Sequence, residues 1–155
     1  MDECEERMIS AIFGHINMVA TGVLEVLGDI EMLPTILRPA LKKQFPLLLK
    51  IHNAEEPKSI EEVIEFINSH SEGCRLKLVD MPVEEDYDVV AIVEDEILLD
   101  RCLKRARENF GAKTSISECM LILLSWSSLS DEYDLLFRTY EKDGFIRVRG
   151  LIVRS

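Results

Sequence analysis

Three kinds of residue in this chain could carry chemistry: its histidines, its cysteines and two groups of arginine. The histidines are His15, His52 and His70, and the cysteines are Cys4, Cys74, Cys102 and Cys119. Zinc and dithiol sites need such ligands in close pairs, and these cysteines form no CxxC unit. His70 and Cys74 come nearest to a ligand pair, but they straddle an expected helix end, so chance proximity is the better reading. No metal and no cofactor is expected.

His15 sits mid-helix beside Gly14, among Ile12, Ile16 and Met18. A hydrogen-bonded interior imidazole is the plain interpretation. Facing a pocket or a dimer seam, it would titrate near neutral pH and serve binding. Cys119 follows a helix start, where a thiolate can be stabilised, yet the apolar run behind it points to burial and inertness.

On the basic side, Arg101, Lys104, Arg105 and Arg107 crowd one expected helix, and Arg147 and Arg149 share a face of the last strand. Cations near a helix C-terminus ordinarily complement its dipole. Brought together by the fold, the two groups would hold a carboxylate or phosphate. The candidate ligand-binding residues are therefore His15, Arg101, Arg105, Arg147 and Arg149.

The acidic run Asp80, Glu84, Glu85, Asp86 and Asp88, followed by Glu94, Asp95 and Glu96, lacks the ligand spacing and glycine of a calcium loop. It reads as a solvated turn and a helix start. A glycine-rich phosphate loop, a nucleophile elbow, an HExxH helix and a Cys/His nucleophile signature are all missing. The leading expectation is a non-enzymatic ligand-binding, regulatory or protein-interaction domain. The alternative is a small enzyme using a thiol or imidazole, built on His15, Cys74 or Cys119.

Composition narrows the partners. The chain has 155 residues, a formal charge of −11 and a pI near 4.7. That charge argues against nucleic acid, since phosphate-binding domains present a basic face. Nineteen glutamates stand against one glutamine, a bias seen in thermophile proteins. The scattered cysteines suggest buried thiols in a reducing cytoplasm, an intracellular disulfide remaining open only for a hyperthermophile. The N-terminus is acidic where a signal peptide is basic. Met8 to Leu24 carries no formal charge, but Ser10, His15, Asn17 and Thr21 interrupt it, so a membrane is not an expected partner.

The elements that must position these groups follow from periodicity. Ile9, Ile12, Ile16, Val19, Val23, Val26 and Ile30 recur at helical steps and predict a helix from about Glu3 to Leu27, closed by Gly28. At 1.5 Å per residue it would run on the order of 37 Å, enough to cross the domain. Ala11, Gly14 and Gly22 would let a second backbone approach, so this helix is expected at the core, at a homodimer seam, or both.

Residues 29–53 read as short helices broken by Pro34, Pro39 and Pro46. Ser59-Ile60-Glu61-Glu62 is a capping box opening a helix that buries Ile60, Val63, Ile64 and Ile67. From Cys74 the period drops to two, predicting a strand, a turn near Pro82 and an interior strand from Tyr87 to Val93. Helices are expected from Glu96 to Phe110, after Ser115-Ile116-Ser117-Glu118, and from Ser130 to Lys142. A last strand from Phe145 to Arg154 carries Gly150 as a bulge or kink. The predicted class is α+β: one domain, helical over 1–72 and mixed over 73–155, on a small, mainly antiparallel sheet.

Overall fold

The computed structural model describes residues 22, 26, 31–71, 75–80, 85–96 and 116–155. Its elements run α1 (Leu33–Leu41), α2 (Phe45–Ile51), α3 (Ile60–His70), β1 (Leu76–Val79), β2 (Val89–Asp95), α4 (Glu118–Leu129), β3 (Tyr133–Lys142) and β4 (Phe145–Arg154). The strands form one sheet in the order β1-β2-β4-β3, with every neighbouring pair antiparallel. The α+β class is borne out.

Proline and capping chemistry set the helix starts. Pro34 and Pro46 fall in the first turns of α1 and α2, where a missing N–H costs nothing. Asn53, at φ 48°, ends α2: its N–H reaches the Lys50 carbonyl and that of Ala54 the Leu49 carbonyl, the pairing of a left-handed helix stop. At α3 the Ser59 hydroxyl accepts from the Glu62 N–H at 3.1 Å, and the Glu62 carboxylate accepts from the Lys58 N–H at 2.8 Å. At α4 the cap is Ser117, accepting from Met120 at 3.1 Å.

Helix α4 is the centre of the domain. Its residues from Cys119 to Ser127 are all buried, as an apolar stretch with no polar side requires. One face of the sheet packs on it through Leu76, Val93, Leu135, Phe137 and Ile152, while α1, α2 and α3 contribute Leu33, Leu41, Phe45, Val63 and Ile67. Inside this core the Ser125 hydroxyl donates to the Leu41 carbonyl at 2.7 Å, satisfying a group that would otherwise be buried unpaired. On the other face Ile92, Leu151 and Val153 form a second buried cluster.

The segment from Ser130 to Lys142 is a correction. Its first residue caps α4, Asp131 and Glu132 bend the chain, and Tyr133–Lys142 is strand β3, not helix. Asp143 and Gly144, both at positive φ, form the two-residue turn that joins β3 to β4, with Lys142 opposite Phe145. Gly150 is a second correction. It pairs in register with both Val93 and Phe137, and the irregularity lies instead in β2, between Val89 and Ala91.

Both sheet edges are plugged at points by side chains. On β1, the Asn68 amide donates to the Leu76 carbonyl at 2.9 Å and accepts from its N–H at 2.8 Å, as a further strand would. On β3, the Arg38 guanidinium donates to the Leu135 carbonyl and Arg138 to that of Phe137. Such plugs keep an edge from templating another strand. Asn68→Ala is expected to cost about 1–2 kcal/mol, from two hydrogen bonds at the ordinary net value. It should also raise light scattering during thermal melts; a variant equal to wild type in both would show that water replaces the amide.

Of the residues expected to form a long N-terminal helix, Gly22 and Val26 are described. Both are helical, and Val26 is 83% exposed although it belongs to the expected apolar seam. The rest of that segment, with His15, and the expected helix from Glu96 to Phe110, with Arg101 and Arg105, lie outside the described residues.

Candidate functional site

Strand pairing brings charged residues together on the sheet face that turns away from α4. Alternation along β4 puts Arg147 and Arg149 on that face with Leu151 and Val153. The register then places Glu94 of β2 and Arg138 of β3 on either side of Arg149, and Tyr140 of β3 beside Arg147. Lys77 of β1 lies opposite Glu94 and completes a charged row across the four strands.

The guanidinium groups in this row are unequally paired. Arg138 holds Glu85 through two nitrogens, at 2.9 and 3.4 Å, and meets Glu31 at 3.4 Å. Arg149 reaches Glu94 only at 3.6 Å and lies over the Tyr140 ring, 3.9 Å from its centroid. That carboxylate oxygen of Glu94 also accepts from the Tyr140 hydroxyl at 2.7 Å. Arg147 meets Asp143 at 3.4 Å, from a side chain only 16% exposed to one that is 72% exposed. The Nε atoms of Arg147 and Arg149 are buried without a hydrogen-bond partner.

Electrostatics follow from these contacts. The hydrogen bond from Arg138 lowers the Glu85 carboxyl below the ordinary range, with burial opposing it and the arginine's charge adding to it, and Glu85 in turn raises Arg138. Burial, then the Glu94 carboxylate, pushes the Tyr140 phenol up, although Arg149 and Arg147 pull the other way. Tyr140 therefore stays protonated near neutral pH and acts as a donor to Glu94.

A carboxyl lowered in the folded state contributes stability above its unfolded pKa and loses it as pH falls through the folded value. Glu85→Gln should accordingly flatten the acid limb of the stability–pH curve, by about 1 kcal/mol once solvent screening is allowed for. Urea melts between neutral pH and the carboxylate range check this. Equal slopes for variant and wild type would show that the Arg138–Glu85 pair contributes nothing to folding.

Of the residues expected to bind a ligand, Arg147 and Arg149 do share a face, as their spacing implies. His15, Arg101 and Arg105 lie outside the described residues. Arg138, Tyr140 and Glu94 join the arginine pair, and sequence reasoning misses all three: the first two fall in the segment that reads as helix, and Glu94 reads as a solvated helix start. In fact Glu94 and Asp95 are 8% and 4% exposed and belong to β2. A signal for Glu94 is present in the apolar run before it, which makes a strand through that position interior.

Cys119 is fully buried and disulfide-bonded, which corrects the expectation of a free thiol. The other three cysteines, any one of which could be its partner, lie outside the described residues. His52 and His70 stack on one another at 4.0 Å between the ends of α2 and α3, with the Phe66 ring beside both. Among the described residues no group of three or more His, Cys, Asp or Glu is placed to hold a metal ion, and no helix is long and apolar enough to cross a membrane.

Comparison with known protein families, with curated proteins and with solved structures gives no match. The functional assignment of this face therefore rests on its own geometry.

Proposed function

We propose that this chain is a non-enzymatic binding domain, regulatory or protein-interacting, in which the Arg147–Arg149 face of the sheet takes an anionic group. The observation that carries this reading is the incomplete pairing of two half-buried arginines on that face. Arg138, Arg147 and Arg149 face Glu85, Glu31, Asp143 and the buried Glu94, and Arg138 uses the closest pairing. Arg147 and Arg149 are left with long contacts and with buried Nε atoms that have no hydrogen-bond partner, donors that an added anion would satisfy.

An anion that binds the folded state alone stabilises it in proportion to the logarithm of its concentration, by about 2.7 kcal/mol at a hundred times its dissociation constant. Thermal melts in succinate and in phosphate, at constant ionic strength, are expected to shift upward in wild type and not in Arg147→Gln/Arg149→Gln. Equal melting temperatures with and without either anion would remove the reading.

A homodimer is also part of the proposal. The expected apolar seam of the N-terminal segment supports it, Val26 of that seam being 83% exposed. Light scattering after size exclusion should return twice the chain mass of 17.8 kDa, and a monomer at micromolar concentration would overturn it. A cytoplasmic location has to accommodate the Cys119 disulfide. A hyperthermophilic cytoplasm does so, in keeping with the glutamate-rich composition.

A further inference from the structure

We infer that Asp143 occupies the position of the ligand's own anionic group, and that the natural ligand of this face is a carboxylate which displaces it from Arg147. This rests on the anion-binding reading above and adds to it the ligand class and an internal competitor. Three features of the β3–β4 turn support it.

First, the ion pair is lopsided. The Arg147 side chain is 16% exposed and held within the sheet face, whereas Asp143 is 72% exposed at a turn tip, so one partner is fixed and the other can leave. Second, the contact is weak for its chemistry: a single nitrogen reaches a single oxygen at 3.4 Å, where a guanidinium fork facing a carboxylate can make two shorter bonds. A free carboxylate, not tethered to the turn, could take both. Third, Asp143 is not needed for its charge by the turn itself. What the turn requires is a residue tolerating φ 55°, and asparagine meets that requirement at least as well.

Carboxylate is preferred to phosphate because a carboxylate already sits at this guanidinium, and because Glu94, buried beside Arg149, would repel a dianion more than a monoanion. The neighbouring Tyr140 hydroxyl is already donated to Glu94, which leaves the arginines as the donors for the ligand.

The test is Asp143→Asn, which keeps the turn and removes the competitor. Acetate and inorganic phosphate are titrated separately, at constant ionic strength, against the Nε–Hε resonances of Arg147 and Arg149 in wild type and in the variant. The expected result is acetate binding tightened about two- to five-fold in Asp143→Asn, the fold-change that an exposed ion pair is worth, with phosphate the weaker ligand in both proteins. Acetate binding of equal strength in the two proteins overturns the displacement while leaving the anion site standing. Tighter phosphate than acetate overturns the ligand class. Binding of neither anion to either protein removes the underlying reading as well. Arg147→Lys serves as a fold control: it keeps the charge and loses the fork, so acetate should weaken while the sheet's amide spectrum is retained.

Discussion

Cys119→Ala should lower the stability of the domain by about 2–4 kcal/mol, the usual worth of a disulfide. The residue lies in the first turn of α4, is fully buried, and belongs to the helix on which the sheet and α1, α2 and α3 all pack. Alanine keeps the Cβ and removes a single sulfur atom, so lost packing is the smaller part of the cost. A reductant separates the two contributions. It should destabilise wild type by most of the difference and leave Cys119→Ala unchanged. Peptide mapping without reduction should find Cys119 linked to Cys4, Cys74 or Cys102. Recovery of Cys119 as a free thiol from the native protein, with no response to reductant, would refute the disulfide and restore the plainer picture of a buried, inert cysteine.

How much of the fold is legible in the sequence depends on whether one face of each element carries the pattern. The all-apolar run of α4, Pro34 of α1, Pro46 of α2 and the capping box of α3 each state a local rule with one structural answer, and the structure gives that answer; Pro39 is the exception, since it lies inside α1 where its residue type predicts a break. Strand β3 is different. Tyr133, Leu136, Phe137 and Tyr140 fall at helical steps, whereas the strand signal is the inward pair Leu135 and Phe137. Leu136 spoils that alternation because it faces the second apolar cluster on the opposite side of the sheet. Where both faces of a sheet are buried, period two fades and helix and strand become hard to tell apart.

The candidate site inherits that ambiguity. Arg147 and Arg149 are legible from spacing alone, since a two-residue step means a shared strand face whatever surrounds it. Arg138 and Tyr140 cannot be attached to them while their segment reads as helix. Recognising Asp143-Gly144 as a hairpin turn mends this, because it pairs Tyr140 with Arg147 and Arg138 with Arg149 by counting back from the turn. Long-range partners such as Glu85 are set by tertiary packing, and no local pattern encodes them.

Gly150→Val is expected to cost about 2–3 kcal/mol, the upper part of the range for forcing extra volume into a packed core. A Cβ at this position would stand 2.9 Å from Leu135 Cδ1 and 3.1 Å from Met120 Sδ. Neither atom has room to retreat: Leu135 is fully buried on the paired strand and Met120 is almost so on α4. The glycine is thus explained by the closeness of α4 to the middle strand, with its backbone pairing on both sides intact. Valine would be welcome there on strand propensity alone, which makes the substitution a clean contest between local preference and packing. Gly150→Ala should cost less, since it brings one methyl group against the same two atoms where valine brings three carbons. Relief should come from the neighbour that is struck: Leu135→Ala, destabilising by itself, should cost less in a Gly150→Val background than in wild type, a coupling that a double-mutant cycle in urea reads directly. Strict additivity of the two substitutions would place the clash elsewhere and overturn the account of why this position is glycine.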